Sequence, residues 1–368
     1  MNNTFITTRQ VFFITTPLIV IIGHFFLIKI YLGLAGRDAW IGMIIGFFVG
    51  FIIFLAMAKL VQTFSGATII QRSLQRFGPL IGRLMTLPLI LYFFTLSVIT
   101  LYGYSVFINS VFLQQHRLWI IMFYFAVAVF YFVHLGIEVI ARVAEFILIL
   151  NIISGISVSL ALMDQKDYTK LLPILENGIE PILPVVLLIL AVFGEMIVLL
   201  MLNIRRENKN SIGYRKVFII LFIVNLIIFP STAAGPVAIF GVAQAQQFTY
   251  PVESMVRLIN IGFIERFDIY GLAIMTVSAF LRLALLHYGA SVALSQWINV
   301  KDYRWVNWLL GGTLILASLN VFDNIVHFYN FLGKYYFYGI ISSVVILILW
   351  IAVLIIPKIS NNNIENNF

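Results

Sequence analysis

The chain has 368 residues, of which 62% are hydrophobic and only 10% charged. Soluble domains carry roughly 25% charged residues, so this composition excludes a soluble globular protein and indicates an integral membrane protein with no extramembrane segment long enough to fold alone. The net charge of +8 does not signal nucleic acid, because the basic residues are scattered between apolar runs instead of gathered on one face, and the absence of cysteine excludes disulfides, thiolate metal sites and cysteine nucleophiles.

A helix needs about 20 residues to cross the hydrocarbon layer. Ten runs meet that length, near 9–31, 39–62, 80–107, 117–135, 138–163, 182–203, 215–240, 269–297, 304–321 and 335–357. Met1 to Gln10 lacks a basic region and a small-residue cleavage site, so the first run is expected to be a retained span. It holds Thr15-Thr16-Pro17 and then Gly23-His24. Pro17 removes a helix donor, and Gly23 beside the ionisable His24 marks a place for the helix to open, although a neutral, hydrogen-bonded structural histidine is equally compatible with the sequence. Between spans two and three, Phe64 to Gly78 alternates Ile69, Ile70, Leu74 and Phe77 with Gln71, Arg72, Gln75 and Arg76, which predicts a short amphipathic helix at the inner interface.

Span three carries Tyr92, Thr95, Ser97, Thr100, Tyr102 and Tyr104, hydroxyls suited to lining a polar pocket or to bonding between helices. Spans four and five are divided only by Val133-His134-Leu135-Gly136. Glu138 and Arg142, one turn apart at the start of span five, can pair along one face and either anchor the helix end or take part in gating. Glu145 lies a further turn inward and is a candidate for an inner gate or a proton-coupling site.

Span six begins at Pro181 and Pro184, which a helix start accommodates, and carries Phe193-Gly194-Glu195 near the middle of the apolar run 183–202. A carboxylate at that depth is costly and marks a functional site by default, since it must protonate or find a cation. Phe248 to Asp268 predicts a short helix capping the outer vestibule. In span eight, Arg282 is too deep to reach the interface and should meet Glu195, Glu145 or a ligand carboxylate, with a structural ion pair as the competing account. The polar tail 360–368 is expected to be disordered.

With the N-terminus inside, the inner segments hold 14 lysines and arginines and the outer segments 8, Arg282 being within a span. This bias places both termini in the cytoplasm. Ten spans divide into two sets of five, repeat one near 9–163 and repeat two near 182–357, of opposite orientation because each set is odd. Inverted-repeat transporters place their ligand where the first helix of each repeat is interrupted. Here that means spans one and six, where Gly23-His24 and Gly194-Glu195 fall at corresponding depths. No His-Glu-x-x-His, Gly-x-Ser-x-Gly or phosphate-binding glycine loop occurs, so neither an enzyme nor a metal or other cofactor is expected.

Several segments, taken together in order and spacing, resemble the B subunits of spore germination receptors, the GerAB type within the amino acid/polyamine/organocation superfamily. They are Ala35-Gly36-Arg37-Asp38-Ala39-Trp40-Ile41, Gly136-Ile137-Glu138-Val139-Ile140-Ala141-Arg142, Leu172-Pro173-Ile174-Leu175-Glu176-Asn177-Gly178, Phe193-Gly194-Glu195, and the stretch from Arg257-Leu258-Ile259 to Phe263-Ile264-Glu265-Arg266-Phe267-Asp268. The resemblance implies an all-α, LeuT-like five-plus-five fold in the inner membrane of the bacterial spore. It implies sensing of a small nutrient, often an amino acid, in concert with an A-type membrane subunit and a C-type lipoprotein. A proton-coupled amino acid permease is the alternative. The ligand position it implies, between spans one, three, six and eight, makes Gly23, His24, Tyr92, Thr95, Phe193, Gly194, Glu195, Ser278 and Arg282 the candidate ligand-binding residues. Many relatives have Gly-x-Gly in the first broken helix; this chain has Val20-Ile21-Ile22-Gly23-His24, and His24 there points to altered selectivity.

Overall fold

The computed structural model describes residues 6–63, 67–202, 213–259 and 268–334. All regular elements within them are helical: α1 (Thr8–Ile21), α2 (Ile28–Ala35), α3 (Ala39–Thr63), α4 (Ile69–Val111), α5 (Leu118–Leu135), α6 (Ile137–Ala161), α7 (Ile182–Gly194), α8 (Gly213–Phe240), α9 (Val242–Gln247), α10 (Pro251–Val256), α11 (Asp268–Trp297), α12 (Tyr303–Asn320) and α13 (Ile325–Gly333). Six helices among the described residues are long and apolar enough to cross a membrane, seven if α12 and α13, bent by 104°, form one span. The run 335–357 and the tail 360–368 lie outside the described residues, as does most of the stretch from Ile259 to Asp268.

Local chemistry explains several boundaries. Thr7 caps α1 in a reciprocal box, its hydroxyl accepting from Gln10 N–H at 3.2 Å while Gln10 Oε1 accepts from Thr7 N–H at 2.9 Å. Thr68 and Gln71 repeat the device at α4, and the Thr68 hydroxyl also donates to Gln296 at 2.5 Å, tying α4 to the far end of α11. The expected amphipathic helix forms from Ile69 and ends at Gly78, whose φ of +74° interrupts the helix before it continues through the membrane. Gly136, with φ of +101°, makes the tight turn from α5 to α6 that a side chain would strain. Pro181 caps α7 and Pro184 sits in its first turn, where a missing N–H costs nothing. The expected outer helix appears as α10, preceded by α9.

One large apolar core joins most of the helices, and a second, smaller cluster holds Leu162, Met255, Val256 and Ile259. The closest crossing in the large core is α3 on α7, where Gly42, Gly46 and Gly50 lie at successive turns. A Cβ on Gly42 would fall 2.9 Å from Val185 and one on Gly46 2.7 Å from Ile189, while one on Gly50 would overlap the Phe193 ring. Small residues at this spacing let two membrane helices meet backbone to backbone. Elsewhere α11 packs along α4, α5, α6 and α12, and α1 lies against α6 and α11. These contacts bring the centre of α11 beside the end of α1.

Candidate functional site

The first span changes character at the place that carries Gly23 and His24. The α-helix stops at Ile21, a five-residue π turn covers Ile22–Phe26, and α-helix resumes at Ile28. Single π turns in membrane and soluble helices are frequent at functional sites. Ile22 N–H turns to Ile19 O, and the Leu18 carbonyl instead accepts a hydrogen bond from Nη1 of Arg282. Protein thus satisfies the backbone group that the break frees, as a membrane interior requires. The second predicted interruption has a different form: α7 ends at Gly194 and the chain tightens into a 3-10 helix from Glu195 to Met201.

Glu195 and Arg282 meet as a bidentate pair, at 2.5 and 2.8 Å, with both side chains fully buried. Arg282 Nε donates further to Thr100 Oγ1 at 3.0 Å. One guanidinium therefore binds the start of the 3-10 segment, α4 and the broken end of α1 together. Two groups of opposite charge are tolerated at this depth because they offset each other in a fixed bidentate geometry.

Beside this sealed pair lies a cavity of about 180 Å³ between α1 with its π turn, α6, α8, α10 and α11. His24 and Ser278 line it. His24 packs edge-on against Phe229, ring centroids 4.1 Å apart, and its Nε2 has no hydrogen-bond partner among the described residues. Ser278 and Asn151 hold each other through their side chains at 3.0 Å. Lys166 closes one end, donating to Ser159 through the carbonyl at 3.2 Å and the hydroxyl at 2.9 Å. Outside the spans, burial pulls the Lys166 ammonium below the usual lysine range. Most of the remaining wall is aliphatic, including Val20, Ile21, Ile228 and Met275.

The structure therefore divides the residues nominated from sequence. Gly23 backs His24 and sits against Phe229 and Val192. Phe193 borders a separate, much smaller void of about 30 Å³ together with Thr15, Thr16, Phe47 and Met196. Gly194 is buried at the end of α7. Tyr92 and Thr95 are half-buried on α4, away from the walls of the main cavity. Glu138 and Arg142 make a 3.9 Å pair on the exposed rim of α6, and Glu145 is half-buried one turn deeper. None of these three touches the cavity.

Sequence reasoning overlooked Asn151, Lys166, Asn225 and Ser231 as cavity residues. For Asn151 a signal existed, since a carboxamide in the middle of the apolar stretch Phe146–Ile153 needs a partner. Also unanticipated is the meeting of two of the segments quoted above: Asp38 Oδ1 accepts from Leu175 N–H at 3.1 Å, Arg37 pairs with Glu176 at 3.5 Å and Arg37 donates to the Leu172 carbonyl.

Comparison with known proteins agrees with the sequence motifs. A family model described as spore germination protein matches residues 5–326. Spore germination protein XB of Bacillus anthracis is 25% identical over 344 residues, covering 93% of this chain and 94% of that protein. Spore germination protein KB of Bacillus subtilis (strain 168) is 23% identical over 296 residues, 79% of each chain. Spore germination protein YndE of the same organism is 24% identical over 297 residues, 78% of this chain and 79% of that one. With nearly the whole apolar helical body inside the match, the chain belongs to the spore permease family of spore germination proteins.

Proposed function

We propose that this protein is the ligand-sensing membrane subunit of a spore germination receptor, binding a small nutrient in the cavity beside the π turn and passing occupancy to A-type and C-type partner subunits. The observation that carries the reading is the position of His24: the break in the first span sets it in the wall of a cavity that α6, α8, α10 and α11 complete. A ligand there touches the element whose backbone is anchored by Arg282, so occupancy can favour one arrangement of the broken helix over another. Such a bias requires only different affinities for the two states.

The reading includes the ten-span, five-plus-five arrangement in the inner membrane of the spore with both termini cytoplasmic. Supporting it are the changes of helix type at Gly23-His24 and after Gly194, in the first and sixth of the runs counted from sequence. An amino acid is the ligand that the resemblance implies. The walls, which carry Lys166 and no carboxylate among the described residues, offer no anion to an amino acid's ammonium. The bidentate engagement of Glu195 favours sensing over proton-coupled transport, since its carboxylate is held by Arg282 rather than presented to a proton path.

Two measurements test the proposal. Spores carrying His24→Leu should contain normal amounts of the protein yet lose most of their nutrient response, whereas an unchanged response would remove the cavity from the mechanism. In proteoliposomes the purified protein should show no accumulation of nutrient with or without a pH gradient; gradient-driven accumulation would replace the sensor with a permease.

A further inference from the structure

We infer that the cavity ligand is a small, mainly apolar molecule whose polar head is a neutral oxygen group or a carboxylate, with no cationic nitrogen; this rests on the proposal that the cavity is the ligand site. A zwitterionic amino acid would bring an ammonium into the protein, and an ammonium removed from water needs an anion or a convergent set of free acceptors. Among the described lining residues there is no aspartate or glutamate. The carboxylate expected to serve, Glu195, is outside the cavity wall and committed to Arg282 through both oxygens. Backbone carbonyls freed by a broken helix are the other usual cation acceptors, yet the Leu18 carbonyl is taken by the same guanidinium.

Among the described lining residues, the one charged side chain that faces the cavity favours an oxygen head. Lys166 lines it and uses two of its three ammonium donors on Ser159. It repels a second cation and attracts an anionic or strongly accepting head. His24 supplies a ring nitrogen that is buried without a partner. Asn151 and Ser278 are already paired with each other, and the Ser231 and Thr232 hydroxyls donate to the carbonyls of Ile228 and Phe229, so the hydroxyl donors there are spent and the acceptors that remain are neutral, with no charge to offset an ammonium. Aliphatic side chains from five helices would meet the body of the ligand.

Calorimetry on the full-length protein in nanodiscs, with empty nanodiscs subtracted, separates the head groups when one branched carbon chain carries each: isocaproate, isoamyl alcohol, L-leucine and isoamylamine. Isocaproate or isoamyl alcohol should bind, with L-leucine and isoamylamine at least about 10-fold weaker. Gly155→Leu fills the cavity at a site where a Cβ meets only Ile228, at 3.6 Å, and should lower that binding. L-leucine or isoamylamine binding as tightly as the oxygen compounds, and lost in Gly155→Leu, would overturn the head-group assignment and leave the sensor proposal standing. Binding untouched by Gly155→Leu, or no binding by any of the four to folded protein, would overturn the inference and the cavity assignment together.

Discussion

Arg282 illustrates how one side chain can stabilise several interruptions at once. It neutralises Glu195, satisfies the Leu18 carbonyl released at the π turn and reaches Thr100. Removing one partner of a buried pair strands the other charge, at a cost of about 3–5 kcal/mol, whereas replacing both by apolar groups is often tolerated. Glu195→Gln and Arg282→Gln should therefore each lower the melting temperature of the purified protein, and the double replacement Glu195→Leu with Arg282→Leu should recover part of the loss. A loss in the double variant equal to the sum of the two single losses would mean that the two side chains act independently. His24 belongs to a different class of residue, because its packing against Phe229 is apolar while its ring nitrogen lacks a partner. Glu138 and Arg142 were legible as an i,i+4 pair, and they form one, but at 3.9 Å on an exposed rim such a pair contributes little to stability. Which charge is gate and which is anchor depends on depth and neighbours, and a sequence lists neither.

Helix contacts set where those side chains stand. The crossing of α3 and α7 depends on Gly42, Gly46 and Gly50, where a side chain would collide with Val185, Ile189 and Phe193. Gly46→Leu should reduce the amount of folded protein recovered from membranes far more than Gly33→Leu, since a Cβ at Gly33 meets nothing within 4 Å. Equal recovery of the two variants would show that the helices can separate without loss. The repeat of glycine at every fourth position was present in the sequence, yet such a stripe names no partner helix until the fold is known. Packed against α8, α10 carries Glu253, mostly buried and paired with Arg257. Burial is the largest influence on Glu253 and raises its carboxyl above the usual glutamate range, against the lowering effect of Arg257. A raised carboxyl binds protons more readily in the folded state, so its contribution to stability is full below the unfolded value and lost as pH rises through the folded one. Hydrogen exchange in 251–256 should accordingly slow as pH falls through that window, after correction for intrinsic rates, and Glu253→Gln should abolish the change. A corrected rate that quickens with falling pH would contradict the sign.

For the molecule as a whole, the proposed orientation makes opposite demands on two exposed loops. The turn after α6, with Asp164, belongs outside, and the turn between α11 and α12, with Lys301, belongs inside. Because the chain has no cysteine, single replacements report cleanly. In intact cells, Asp164→Cys should react with a membrane-impermeant maleimide, whereas Lys301→Cys should react only after permeabilisation; the reverse pattern would invert the topology. The segments Arg37-Asp38 and Leu172–Glu176, distant in sequence, clasp each other on the same side as Asp164 in this reading.

Composition, apolar run length and the exclusion of soluble chemistry are properties of the chain itself, because a bilayer imposes a hydrophobic length on each span whatever its neighbours. Helix interruptions were legible for the same reason: Gly23, Gly194 and the carboxylate of Glu195 are local departures from an uninterrupted apolar helix, whereas α1 runs on through Pro17. The partnership of Glu195 with Arg282 was one of several the sequence allowed, and only the packing of α1, α4 and α11 around the 3-10 segment selected it. Of the cavity, His24 and Ser278 were nominated through the resemblance, but its other walls were not legible. It is bounded by His24, Asn151, Lys166 and Ser278, residues separated by up to 254 positions and joined by no motif. A concave space is created by what neighbouring helices leave unfilled, and that is decided by tertiary contacts alone.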